Sequence, residues 1–243
     1  MRVVLCSFMI SALVLCAPAV AAPSPGQQTP EMYDRDGEKM GYLLYLPADY
    51  KDGGDKKWPV ILFLHSATER GDGVADLEKL KKHGPPKLVG KETKDFIVIA
   101  PQSPPRKFWD PKPVRGLLLD ALAQLKNADA DRVYLTGTEM GGFTCWSLAA
   151  RNPDLFAAVA PVCAGGLDAY IEPIKHLPIR AFEGDKDISL EKGKAMVEGL
   201  KKAGAKSVEL TVYPDSAGRE VGTKTYTDPG FYGWLLKQSR PKK

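Results

Sequence analysis

The chain has 243 residues, 44% apolar and 26% charged, an ordinary balance for a globular protein able to bury a large core. Its formal charge of +4 is modest and its lysines are scattered, with Lys79, Lys81 and Lys82 set beside Asp76 and Glu78. That is the pattern of a solvated face and argues against a nucleic-acid surface.

Met1 and Arg2 precede an apolar run over residues 3–14, too short to span a bilayer, and Ala19-Val20-Ala21 offers a small-x-small cleavage site. Residues 1–21 therefore read as a signal peptide and the chain as exported, to the periplasm or the cell exterior, with no later transmembrane segment. Bulky Leu15 argues against a lipid anchor at Cys16. Residues 22–31, rich in Pro, Ser, Gln and Gly, read as a disordered lead-in, and residues 32–240 as one domain. Of the four cysteines, signal removal leaves Cys145 and Cys163. Export permits a disulfide between them, but a helix face and a strand end favour two packed thiols. With no CxxC and three scattered histidines, neither a metal cluster nor a cofactor is expected.

The ordered elements alternate. Residues 42–46 form a strand closed by Pro47, and residues 60–64 are apolar at every position, as in a strand buried on both faces. A polar loop, His65 to Gly71, leads to a short helix around Leu77 and Leu80 that His83-Gly84-Pro85-Pro86 stops. A strand at 96–101, a proline-rich loop carrying Trp109 and a helix at 114–125 follow. Val133, Tyr134 and Leu135 then begin a strand that runs into Gly137-Thr138-Glu139-Met140-Gly141 and a helix whose apolar side includes Trp146. Strands at 156–162, 179–182 and 208–213 and helices at 190–202 and 231–237 complete the order. Regular strand–helix alternation implies an α/β fold, a mostly parallel sheet with helices on both faces and ligands at the carboxyl ends of the strands.

The segment 137–141 has the spacing of the G-x-S-x-G nucleophile elbow, with Glu139 where serine belongs. Together with LFLHSATERGDG, KKHGPPKLV, DRVYLTGTEMGGFTCWSLAARNPDLFAAVAPVC and FEGDKD, it resembles the secreted esterase-like branch of the α/β-hydrolase superfamily. Its relatives there include dienelactone hydrolases, phospholipase/carboxylesterases and polyhydroxybutyrate-depolymerase-like proteins. The resemblance covers residues 42–237. It implies that Glu139 holds the nucleophile position, Asp187 the acid position, and Met140 and Ala67 the backbone N–H pair of an oxyanion hole.

Three departures stand out: Glu139 for serine, Ser66 for the first glycine of HGxGERG, and no catalytic histidine. The expected histidine falls at Gly218 when counted from Pro214, and at Arg219 when counted back from Tyr226. His65 matches a structural histidine of the family, and neither His83 nor His176 is expected near residue 139. Losing a triad member costs about 10⁴- to 10⁶-fold in rate. An ionised Glu139 about 4 Å from a developing oxyanion repels it by up to ~4 kcal/mol at an effective dielectric near 20. The sequence thus describes a degenerate hydrolase with a binding or structural role, taking a small ester or glycan-type ligand in its cleft. The alternative is hydrolysis with Glu139 as nucleophile or base. Arg219 reads either as a solvent-exposed loop side chain or as a bridge between Glu139 and Asp187, and Glu183, Glu69 and Arg70 read as rim charges. Thr138 and Ser216 read as structural, Trp146 as core, and Trp109 as a cleft-lining residue.

Overall fold

The computed structural model describes residues 23–35 and 37–241; the signal-peptide reading lies outside the described residues. Eight strands form one sheet: β1 Gln28–Arg35, β2 Glu38–Tyr45, β3 Trp58–Leu64, β4 Ile97–Pro101, β5 Ala128–Thr138, β6 Ala158–Val162, β7 Ile179–Gly184 and β8 Val208–Tyr213. Their order is β1-β2-β4-β3-β5-β6-β7-β8, antiparallel from β1 to β4 and parallel from β4 to β8. The helices are α1 Gly84–Lys87, α2 Pro111–Gln124, α3 Met140–Arg151, α4 Ile171–Ile174, α5 Leu190–Lys202, α6 Arg219–Thr227 and α7 Pro229–Leu236.

The all-apolar strands divide their side chains between two cores, as a period of two requires. Val60, Leu62 and Leu64 of β3 join α2, α3 and α5 on one face, through residues such as Leu118, Trp146 and Met196. Ile61 and Phe63 face the other way, toward α6 and α7, where Tyr226, Phe231 and Leu235 are buried. This two-sided cover explains why β3 carries no polar residue.

One expectation is corrected and another extended. The lead-in over 22–31 is not structureless throughout: from Gln28 it forms β1, whose register pairs Gln28 with Tyr45 and Arg35 with Glu38. Its polar composition hid an edge strand ordered by main-chain pairing. The His83-Gly84-Pro85-Pro86 stop is itself the start of α1, with proline at a position where its missing N–H costs no intrahelical bond. Helix α6 went unread because Val221, Gly222 and three threonines are weak helix formers. Val221 and Tyr226 are nonetheless fully packed into the second core, and tertiary burial decides the matter.

Candidate functional site

The turn between β5 and α3 is built around one strained residue. Glu139 has φ 49 and ψ −112, in a region that non-glycine residues enter at a cost of about 1–3 kcal/mol. Its N–H donates to Val162 O at 2.9 Å, and its carbonyl accepts from Phe143 N at 2.8 Å. The surrounding glycines allow this approach. A Cβ at Gly137 would stand 2.6 Å from Leu64 O, one at Gly142 would stand 2.6 Å from Val162 O, and one at Gly141 would overlap the Leu64 carbonyl. The elbow backbone is therefore formed even though its tip carries an acid. Met140 and Ala67 are each the first residue of a helical turn, so their N–H groups lack intrahelical partners.

Asp187 follows β7 and lies across the sheet edge from the elbow. Its Oδ2 accepts from the Gly218 N–H at 2.6 Å, and its Oδ1 from Ser189 N at 3.0 Å and Ser189 Oγ at 2.7 Å. Burial pushes its carboxyl up, but these donors outweigh it and hold the group below the ordinary carboxylate value. Gly218 has φ 50, and a Cβ on it would stand 3.1 Å from Glu139 Oε1. One backbone position thus touches the acid and faces the elbow. Of the two places to which the missing imidazole was assigned, Gly218 and not Arg219 makes the contact with Asp187.

Glu183 is no rim charge. It is fully buried, its Oε1 accepting from Ala164 N at 2.9 Å and its Oε2 lying 2.7 Å from Ser189 Oγ. Burial raises its carboxyl to about 7 despite those bonds. Cys163, Glu183 and Asp187 bring possible metal-ligating atoms within 4.8 Å of one another, a grouping that sequence spacing did not reveal. Each carboxylate oxygen of the trio already has a protein hydrogen-bond partner, and burial pushes the Cys163 thiol up, away from the thiolate a metal would need. The trio reads as a closed hydrogen-bond network. Cys145 and Cys163 are both buried and free.

Glu69 is also buried. It accepts from Ser66 N at 3.1 Å, Ser66 Oγ at 2.9 Å and Thr68 Oγ1 at 2.7 Å. This closes a capping box that ties down the loop after β3. The serine that departs from the family glycine therefore has a physical account: its hydroxyl holds Glu69. Glu69, His83, Glu139 and Arg219 line one narrow cleft with Ser66, Thr138 and Tyr226. Half-buried Glu139 has neither a hydrogen bond to its carboxylate nor an ion pair among the described residues. Burial, then the charges of Glu69 and Asp187, raise its pKa, and Arg219 offsets this in part.

Of the two readings of Arg219 the structure has the exposed one: Arg219 is exposed at the start of α6 and forms no ion pair with Glu139 or Asp187. The three histidines divide clearly. His65 Nδ1 meets Ser66 O at 2.5 Å, its Nε2 accepts from Ser103 N at 2.9 Å, and burial lowers its pKa to about 4, so it is neutral and fully engaged. His176 sits at the opposite sheet edge, its Nε2 3.3 Å from Pro153 O. His83, not expected near residue 139, lines the same cleft, with Nε2 3.7 Å from Glu69 Oε1. None of the three hydrogen-bonds to Glu139. Trp109 does not line the cleft either; it is buried, and its Nε1 donates to His65 O at 3.1 Å, bracing the loop. Trp146 is core, as expected.

Such a site lacks the alkoxide and adjacent base of serine hydrolysis. It presents a desolvated carboxyl at the elbow tip, a rigid acid behind it, and helix-start N–H groups beside it.

No family model matches the chain. Acetylxylan esterase A from Emericella nidulans is 30% identical over 152 residues, which cover 56% of this chain and 46% of that protein. The chain thus spans less than half the length of this curated relative. A thermostable esterase of known structure superposes with a TM-score of 0.72 at 28% identity, over 88% of this chain and 63% of its own. The feruloyl esterase module from Clostridium thermocellum aligns over 98% of this chain and 99% of its own, with a TM-score of 0.67. Its 14% identity makes that a likeness of fold alone.

Proposed function

We propose that this chain, an esterase-like member of the α/β-hydrolase superfamily, binds a small ester or glycan-type ligand in its cleft without hydrolysing it. The observation that carries this reading is the pair Glu139 and Gly218: an acid occupies the nucleophile position, and a residue without a side chain stands between it and Asp187. A developing oxyanion beside an ionised Glu139 is repelled, and no imidazole contacts the tip to move a proton. The cleft, the elbow turn and the helix-start N–H groups are retained, which supports binding at the same place. The chain is further proposed to be exported, on the pattern of residues 1–21; N-terminal sequencing of the mature protein should begin at Ala22, and an intact Met1 on the exported protein would reject that cleavage.

A second reading is favoured by one observation, that His83 shares the cleft with Glu139 beside Glu69. There Glu139 acts as nucleophile or base on an ester or carbohydrate-linked ester, and His83 takes a proton from water. Burial keeps His83 below its ordinary pKa, in the neutral form a base requires. Turnover of short p-nitrophenyl esters separates the two. The binding reading expects background rates, and turnover abolished in both Glu139→Gln and His83→Ala would establish the second.

A further inference from the structure

The loops that follow β3 and β4 meet beside the elbow and carry an arrangement that the cleft does not use. Gly71 N donates to Ser103 O at 3.1 Å, and Gln102 Nε2 donates to the carbonyls of Glu69 and Asp76, each at 2.9 Å, so the two loops form one braced platform. On it the guanidinium of Arg70 lies 5.5 Å from the ring centroid of Phe108, which is 79% exposed. Arg70 Nη2 donates to the Met140 sulfur at 2.8 Å, while its Nε is buried and unpartnered. A partly desolvated guanidinium whose bonded acceptor is a thioether, with no carboxylate paired to it, lacks the counter-charge such groups require. Arg106 and Lys107, both exposed on the same platform, likewise form no ion pair among the described residues.

We infer that this platform is a subsite for an acidic glycan, one whose sugar rings carry carboxylates. The exposed Phe108 ring offers a flat apolar face to a pyranose, and the partly exposed Arg70 guanidinium offers positive charge to a carboxylate. Several unpaired cations along adjacent loops suit a chain with repeated carboxylates better than a lone aromatic acid with one. The inference rests on the binding reading of the cleft and extends it outward from Met140 to the rim.

The test is calorimetric titration of the full chain with oligogalacturonate, with its methyl-esterified form and with a hydroxycinnamate. The free acid should bind about tenfold more tightly than the ester, and added salt should weaken it. Arg70→Met and Phe108→Ala should each lower its affinity by about tenfold. Phe108 is exposed enough for its variant to keep the fold, checked by an unchanged melting curve. Equal binding of acid and methyl ester, unchanged affinity in Phe108→Ala, or tighter binding of the hydroxycinnamate would each overturn the acidic-glycan subsite. Glu139-dependent ester turnover would instead overturn the non-hydrolytic reading and leave the carboxylate preference standing, so the two failures are distinguishable.

Discussion

Gly218 donates its N–H to Asp187 Oδ2 at 2.6 Å, and the Cβ it lacks would stand 3.1 Å from Glu139 Oε1. A histidine there meets Glu139 at once, whereas a serine at 139 removes the crowding. The account therefore predicts that Glu139→Ser and Gly218→His are each inactive alone, and that the double variant hydrolyses p-nitrophenyl acetate measurably. Its rate should rise with pH through about 6.5, the ordinary histidine value. A left-handed φ of 50 strains the new histidine, so the recovered rate should be small. A double variant no faster than either single one would mean that Gly218 does not mark the imidazole position.

Strain and desolvation both act on residue 139. Glu139→Gly relieves the φ of 49 and removes a carboxyl that burial and two neighbouring acids disfavour. Thermal denaturation should show a gain of about 1–2 kcal/mol, net of glycine's greater unfolded-state freedom. A lower melting temperature would show that the acid is held by favourable contacts after all.

Glu183 makes stability depend on pH. Its folded pKa of about 7 lies above the ordinary 4.5, so the folded state holds this proton more tightly than the unfolded state does. The associated stability is fully present below about pH 4.5 and is lost as pH rises through about 7, with a magnitude on the order of 3 kcal/mol. Between pH 5 and 8, about the span of that titration, wild-type stability should fall more steeply than that of Glu183→Gln. Parallel curves for the two proteins would remove Glu183 as the cause.

The elbow glycines should be sharply unequal to others. Gly141→Ala drives a Cβ into the Leu64 carbonyl and should cost more than about 3 kcal/mol or prevent folding. In Gly233→Ala, within α7, the Cβ meets nothing within 4 Å, and the change should stabilise by up to about 1 kcal/mol. Similar melting temperatures for the two variants would contradict the close approach of β3 to the turn.

Much of the fold was legible because its strands are apolar on both faces: β3 and β4 carry their own signal, and α5 and β8 have the bounds their patterns suggest. Strand β1 was not, since a polar edge strand is set by its partner, nor was α6, whose propensities oppose the packing that forms it. The Glu139 elbow was readable from its glycine spacing taken together with the motifs before and after it. The burial of Glu69 and Glu183 was not, because a charged letter reads as surface until the hydrogen bonds that pay for its desolvation are seen. His83 reaches the cleft through the placement of α1, a matter of tertiary geometry without a local signal. Arg219 lines the cleft with Glu139 yet pairs with neither acid, so Arg219→Ala should leave the melting temperature unchanged.

The most direct measurement is the turnover of short p-nitrophenyl esters by the wild-type chain and by Glu139→Gln, side by side. The account predicts rates at the buffer background for both proteins. Turnover by the wild type that disappears in Glu139→Gln would contradict it.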